Sequence, residues 1–200
     1  MEKYSAKENN PILEYLRKYN YDNKAAYSIS SSAMDHFSRS CAGYTVISYI
    51  LAFGDRHLDN LLLHKSGKFF HIDYGFIFGM DPKPFTPLVR FTKEMLFALG
   101  GMDSFYYNQF IQYVVKSYLC LRKSYLVIIN LIRTMFDVDL TDLSIRQTPE
   151  AAINTVLDRF KLNLSDQEAQ EYIIKTVLDS SIAVIPVVME QMHKIAVSFR

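Results

Sequence analysis

The sequence predicts a mainly α-helical domain carrying one short β-hairpin, and three observations lead there. Apolar residues recur at helical spacing through most of the chain, as in Met34, Phe37, Cys41, Tyr44 and Ile47. Helix-capping residues stand just ahead of such stretches: Asn10-Pro11, Ser30 to Ser32, Thr92, Thr148-Pro149 and Ser165-Asp166-Gln167-Glu168. One stretch breaks the pattern. Two short apolar runs, Leu61–His64 and Lys68–Ile72, are joined by Lys65-Ser66-Gly67, with glycine where a hairpin turn needs it.

Taken in order, Asn10 caps a helix over Ile12–Lys18, with proline at its first position. Asn20–Tyr27 is polar and reads as a loop, and Ser30 to Ser32 open a long helix running to about Phe53. The hairpin follows. Tyr74–Phe91 contains Pro82, Pro84 and Pro87, too much proline for a helix or a central strand, and reads as a long functional loop. Thr92 caps a short helix that stops at Gly100-Gly101. Asp103–Arg122 and Tyr125–Phe136 are apolar enough to be expected as buried helices. Further helices are expected from Thr148 to about Phe160, after the capping box at Ser165, and over Ile182–Phe199, where Pro186 lies near the start.

Composition narrows the function. The 200 residues suit one domain, and half are hydrophobic, enough for a core. With 22 basic and 21 acidic residues the charge is nearly balanced, so charge alone implies neither nucleic acid nor an anionic membrane as partner. Cys41 and Cys120 lack nearby metal-ligand partners and read as buried free thiols in a reducing compartment. The opening residues are polar and mixed in charge, unlike a secretory signal, and no apolar run approaches the ~20 residues that span a bilayer.

Chemistry concentrates around the hairpin. Asp55, Arg56 and His57 precede it, Asn60 stands at its start and Asp73 at its end. Asp55 and Asn60 are five residues apart, the spacing of aspartate and asparagine in a protein-kinase catalytic loop, although the triplet runs Asp-Arg-His rather than His-Arg-Asp. Asp73-Tyr74-Gly75, thirteen residues after Asn60, occupies the place of Asp-Phe-Gly. Phosphoryl transfer needs magnesium against the nucleotide phosphates and a group that handles the proton of the attacking hydroxyl. A hairpin returns the chain to its starting point, so Asn60 and Asp73 can face one ion with the hard oxygens that magnesium prefers.

Gly54-Asp55-Arg56-His57-Leu58-Asp59-Asn60-Leu61-Leu62-Leu63 resembles the catalytic loop of phosphatidylinositol 3-kinases, and its Leu-Asp-Asn-Leu-Leu-Leu continuation is similar to class III. So are Ser40-Cys41-Ala42-Gly43-Tyr44, Phe70-His71-Ile72-Asp73, Asp81-Pro82-Lys83-Pro84, Leu99-Gly100-Gly101, the run from Phe160 to Asp166, and Glu190-Gln191-Met192-His193-Lys194. The resemblance implies that residues 1–200 form the C-terminal lobe of a lipid-kinase catalytic domain, with a catalytic loop at 54–62, an activation loop at 73–94 and a C-terminal helix at 182–199. It implies transfer of the γ-phosphate of ATP to the 3-hydroxyl of phosphatidylinositol. Asp55 or His57 would take the hydroxyl proton, and a neutral histidine near pH 7 is chemically apt. Arg56 would hold the catalytic loop, Asn60 and Asp73 would bind Mg2+ or Mn2+, and Leu62 and Ile72 would lie under adenine. Lys83 and Arg90 would meet the headgroup, and so thin a basic set suits an inositol lipid without extra phosphates. Phe85, Leu88, Val89 and Phe91 would either touch the bilayer or pack on the lobe. The family further implies a peripheral place on endosomal and autophagosomal membranes from the cytoplasm, roles in trafficking and autophagy, and two partners: a pseudokinase-like regulatory subunit and a coiled-coil autophagy subunit.

The chain departs from the pattern in places. Tyr74 replaces phenylalanine, Met80 stands where a basic residue is common, and the end, Ser198-Phe199-Arg200, lacks a tryptophan-containing aromatic pair. Nothing before Asp55 supplies a glycine-rich phosphate loop or a strand-borne lysine, so the N-terminal lobe is expected upstream of Met1 and the chain is read as a fragment. Two alternatives are a binding module without catalysis and a protein serine/threonine kinase of the related family. Leu61-Leu62-Leu63 and the Asp-Pro-Lys-Pro loop speak against the second.

Overall fold

In a computed structural model of the chain, the structure describes residues 10–56, 58–81, 87–138 and 147–180. Helix α1 (Pro11–Tyr19) begins where the Asn10 side chain accepts from the N–H groups of Ile12 and Leu13. Helix α2 (Ser31–Ile50) is the spine of the lobe, capped by the Ser30 hydroxyl. It ends at Ile50 rather than Phe53, because Ala52 turns into the left-handed region at φ 47°. The hairpin strands β1 (Leu61–Leu63) and β2 (Phe69–His71) pair antiparallel, with Leu61 opposite His71 and Leu63 opposite Phe69. Gly67 closes the turn at φ +92°, where a Cβ would lie 2.3 Å from the Ala33 carbonyl oxygen; only glycine fits.

Helix α3 (Lys93–Ala98) follows the Thr92 cap, and α4 (Phe105–Lys123) starts from Ser104, two residues later than the sequence suggested. Helices α5 (Tyr125–Asp137) and α6 (Pro149–Phe160) come next, and residues 166–180, here α7, are helical behind a capping box in which Ser165 and Glu168 exchange hydrogen bonds. Helix α2 packs against α4, β2 and α6, and α5 against α6. Phe37, Tyr49, Phe110, Tyr118 and Phe160 are fully buried between these elements. Arg122, also buried, ties the end of α6 down by donating to the carbonyls of Phe160, Lys161 and Leu164 at 2.8 Å each.

Two expectations are corrected. Cys41 is buried, but Cys120 is exposed: it sits two residues past buried Tyr118 and so points away from the Tyr107-Phe110-Val114-Tyr118 stripe. Helix α5 buries one sector only, Ile129, Ile132 and Phe136, while Val127 and Leu131 on another are 60% and 61% exposed. The expected C-terminal helix at 182–199 lies outside the described residues, as do Lys83 and Phe85 of the loop. Of that loop's apolar residues, Val89 and Phe91 pack on the lobe, with Phe91 stacked on Phe110 at 5.1 Å, and Leu88 is exposed. Among the described residues no helix is long and apolar enough to cross a membrane.

Candidate active site

The hairpin has two unlike faces because strand side chains alternate. Phe69 and His71 point into the core, where the Phe69 N–H donates to the Ser40 hydroxyl at 2.8 Å and the His71 ring meets the Ser48 hydroxyl at 3.1 Å. Leu62, Phe70 and Ile72 share the outer face, and Leu62 and Ile72 are 41% and 37% exposed. An apolar cavity of about 370 Å³ adjoins β1, bounded by Ile12, Tyr15, Leu62, Phe69 and Met95 among others. Phe70 was missed in the sequence; two-residue alternation with Ile72 was the signal that places it on this face.

At the hairpin's open end the Ile72 N–H donates to the Asn60 carbonyl at 2.9 Å, so the residue beside Asp73 is paired to Asn60. Asn60 is buried, and its side-chain nitrogen donates to the Asp55 carbonyl at 3.0 Å. With the nitrogen so used, its amide oxygen is the atom left for a cation. Asp73 is exposed, and its Oδ1 accepts from the Gly75 N–H at 3.0 Å. One carboxylate and one amide oxygen, at adjacent ends of a hairpin, fit an ion that takes its remaining ligands from water and phosphate, as magnesium does. Asp55 and Asp73 both adopt left-handed backbones, at φ 46° and 59°, which aspartate tolerates better than most residues and which are common where function holds the chain in place.

Arg56 joins the two loops. Its Nε donates to Gly54 O at 2.7 Å, Nη1 to Ile72 O at 3.3 Å and Nη2 to Asp73 O, while the guanidinium lies 5.4 Å from the Phe53 ring centre. It is buried; desolvation pulls its pKa down and the Asp73 charge opposes that, leaving it cationic. Gly54 is fixed by close approach: a Cβ there would sit 2.1 Å from Met80 O. Burial, and then the Arg56 charge, push His71 down to about 4, so it is neutral near pH 7. Arg90 is half-buried between Val89 and Phe91, so it flanks the loop, whereas Lys83 and His57 lie outside the described residues. The structure therefore brings Asp55, Arg56, Asn60, Ile72 and Asp73 into one connected group, with Leu62 on the adjoining face.

The sequence matches the phosphatidylinositol 3- and 4-kinase family over residues 1–145. It is 43% identical over 188 residues to a phosphatidylinositol 3-kinase of Schizosaccharomyces pombe, covering 92% of this chain and 23% of that protein. It is 41% identical over 189 residues to the phosphatidylinositol 3-kinase VPS34 of Saccharomyces cerevisiae, covering 94% and 21%, and 40% identical over 193 residues to that of Arabidopsis thaliana, covering 96% and 24%. The chain thus spans about a quarter of the length of these relatives. With the match running through the Asp55–Asn60 loop and the hairpin to Asp73, the chain belongs to the phosphatidylinositol 3- and 4-kinase family.

Proposed function

We propose that this chain is the catalytic lobe of a class III phosphatidylinositol 3-kinase, moving the γ-phosphate of ATP to the 3-hydroxyl of phosphatidylinositol. The observation that carries the reading is the bond from Ile72, beside Asp73, to the Asn60 carbonyl at the open end of one hairpin, with the Asn60 side chain tied to the Asp55 carbonyl. Asn60 and Asp73 would hold magnesium or manganese, which supplies charge neutralisation at the phosphates when bound. Leu62, Ile72 and the newly placed Phe70 would lie under the adenine of ATP. Arg56 holds both loops through their carbonyls, so its role is positioning. Asp55 or His57 would receive the hydroxyl proton. Lys83 and Arg90 would meet the inositol headgroup, and the sparse positive charge favours a headgroup without further phosphates.

The same reading carries the remaining expectations. The lobe would act from the cytoplasm on endosomal and autophagosomal membranes, together with a pseudokinase-like regulatory subunit and a coiled-coil autophagy subunit.

The test is a graft. The chain replaces the matching segment of the Schizosaccharomyces pombe enzyme, and the chimera is assayed with radiolabelled ATP, magnesium and phosphatidylinositol vesicles. Label is expected on the 3-position of the lipid, and Asp73→Asn should lower it at least ~100-fold. A folded chimera that labels no lipid, or labels protein instead, overturns the proposal.

A further inference from the structure

Tyr74 departs from the phenylalanine of the Asp-Phe-Gly pattern, and its extra oxygen is engaged. Its hydroxyl donates to the His71 carbonyl at 2.7 Å, closing a loop around Ile72 and Asp73. Tyr44, on α2, approaches the same strand: its ring lies 5.2 Å from the His71 ring at an angle of 31°. The Tyr74 ring packs edge-on against Phe53 at 5.1 Å, and Phe53 in turn carries the Arg56 guanidinium on its face. Phenylalanine would keep the contact with Phe53 and lose the hydrogen bond to His71.

We infer that Tyr74 is a positioning residue whose hydroxyl latches the turn at Asp73 to β2, holding the Asp73 carboxylate where a divalent cation is bound. The link to the cation rests on the reading of Asp73 as a metal ligand; the latch itself rests on the geometry alone. The argument turns on the backbone. Asp73 is in the left-handed region at φ 59°, and the exposed side of the turn offers little packing to keep it there. Arg56 grips the Ile72 and Asp73 carbonyls on the near side of the turn. Tyr74 is the matching restraint on the far side, running from the residue after Asp73 back to the residue two before it. With both in place the Ile72 N–H bond to Asn60 and the Gly75 N–H bond to Asp73 Oδ1 belong to one closed unit. A rigid unit loses less freedom when it binds an ion.

The experiment compares the wild-type chain with Tyr74→Phe and Asp73→Asn by NMR. Amide exchange at Ile72 and Gly75 should quicken about fivefold in Tyr74→Phe, the worth of one net hydrogen bond, with exchange at Met34 in α2 unchanged. Mn2+ titration, read by paramagnetic broadening around Asp73, should show about fivefold weaker binding in Tyr74→Phe and a greater loss in Asp73→Asn. Exchange at Ile72 and Gly75 within twofold of wild type overturns the latch. Faster exchange with Mn2+ binding unchanged in Tyr74→Phe, but weakened in Asp73→Asn, overturns the positioning role. Mn2+ binding indifferent to Asp73→Asn overturns the metal reading instead, and the exchange result then still decides the latch.

Discussion

The guanidinium of Arg56 donates to the carbonyl oxygen of Asp73, and the same side chain donates to Gly54 O two residues behind it, so one buried cation joins the turn at Gly54–Arg56 to the end of the hairpin. Arg56→Ala leaves those carbonyls without a partner and should destabilise the fold by about 3 kcal/mol. Arg56→Lys keeps the charge but not the fork, and should cost nearly as much. Urea denaturation measures both. A midpoint for Arg56→Ala close to wild type contradicts the joining role.

Arg122 does the same work for the helical half of the lobe. Arg122→Met retains length and apolar bulk but strips the carbonyls of Phe160, Lys161 and Leu164 of their donor. A loss of about 3 kcal/mol is expected, with proteolysis beginning near Lys161. A variant as resistant to protease there as wild type shows that other contacts close the α6–α7 turn.

Stability should fall with acid in a window set by His71. Its folded pKa is about 4 against 6.5 in the open chain, so between those values the unfolded state holds a proton that the folded state does not. The contribution is fully present above pH 6.5 and is lost as pH falls toward 4, with a slope of at most about 1.4 kcal/mol per pH unit. His71→Gln in metal-free buffer should flatten that part of the profile. Thermal melts across the window check it, and equal slopes in the two proteins rule out His71 as the source.

Leu62 and Ile72 are open to solvent, so replacing them should separate stability from function. Leu62→Ser and Ile72→Ser are each expected to cost under ~1 kcal/mol of folding free energy. In the graft described above they should raise the KM for ATP more than about tenfold. An unchanged KM removes this face from the nucleotide site.

What the sequence made legible was local. The Asn10, Ser30, Thr92, Thr148 and Ser165 caps each satisfy N–H groups two or three residues on, so the pattern that announces them also carries their partners. The hairpin itself followed from two short apolar runs and Gly67 at the turn between them. Arg122 was not legible, because its acceptors lie about forty residues away and nothing nearby marks it. The open sector of α5 escaped for the opposite reason: its apolar density says that a helix wants cover on several sides, and only packing decides which side receives it. At the site, spacing named Asp55, Asn60 and Asp73, while Arg56's three carbonyl acceptors and the Tyr74 hydroxyl bond depend on how the turns fold back on one another.

The left-handed backbone at Asp55 and Asp73 has a consequence for how such a lobe would drift over generations. Positions of this kind accept asparagine and glycine with least strain, and each of those is one base away from an aspartate codon. Both replacements erase the carboxylate and spare the fold. Most other replacements would announce themselves by weakening the domain; these two would not. On the proposed reading, inheritance would then silence the chemistry in a single quiet step, leaving a well-folded lobe whose sequence still looks like a kinase.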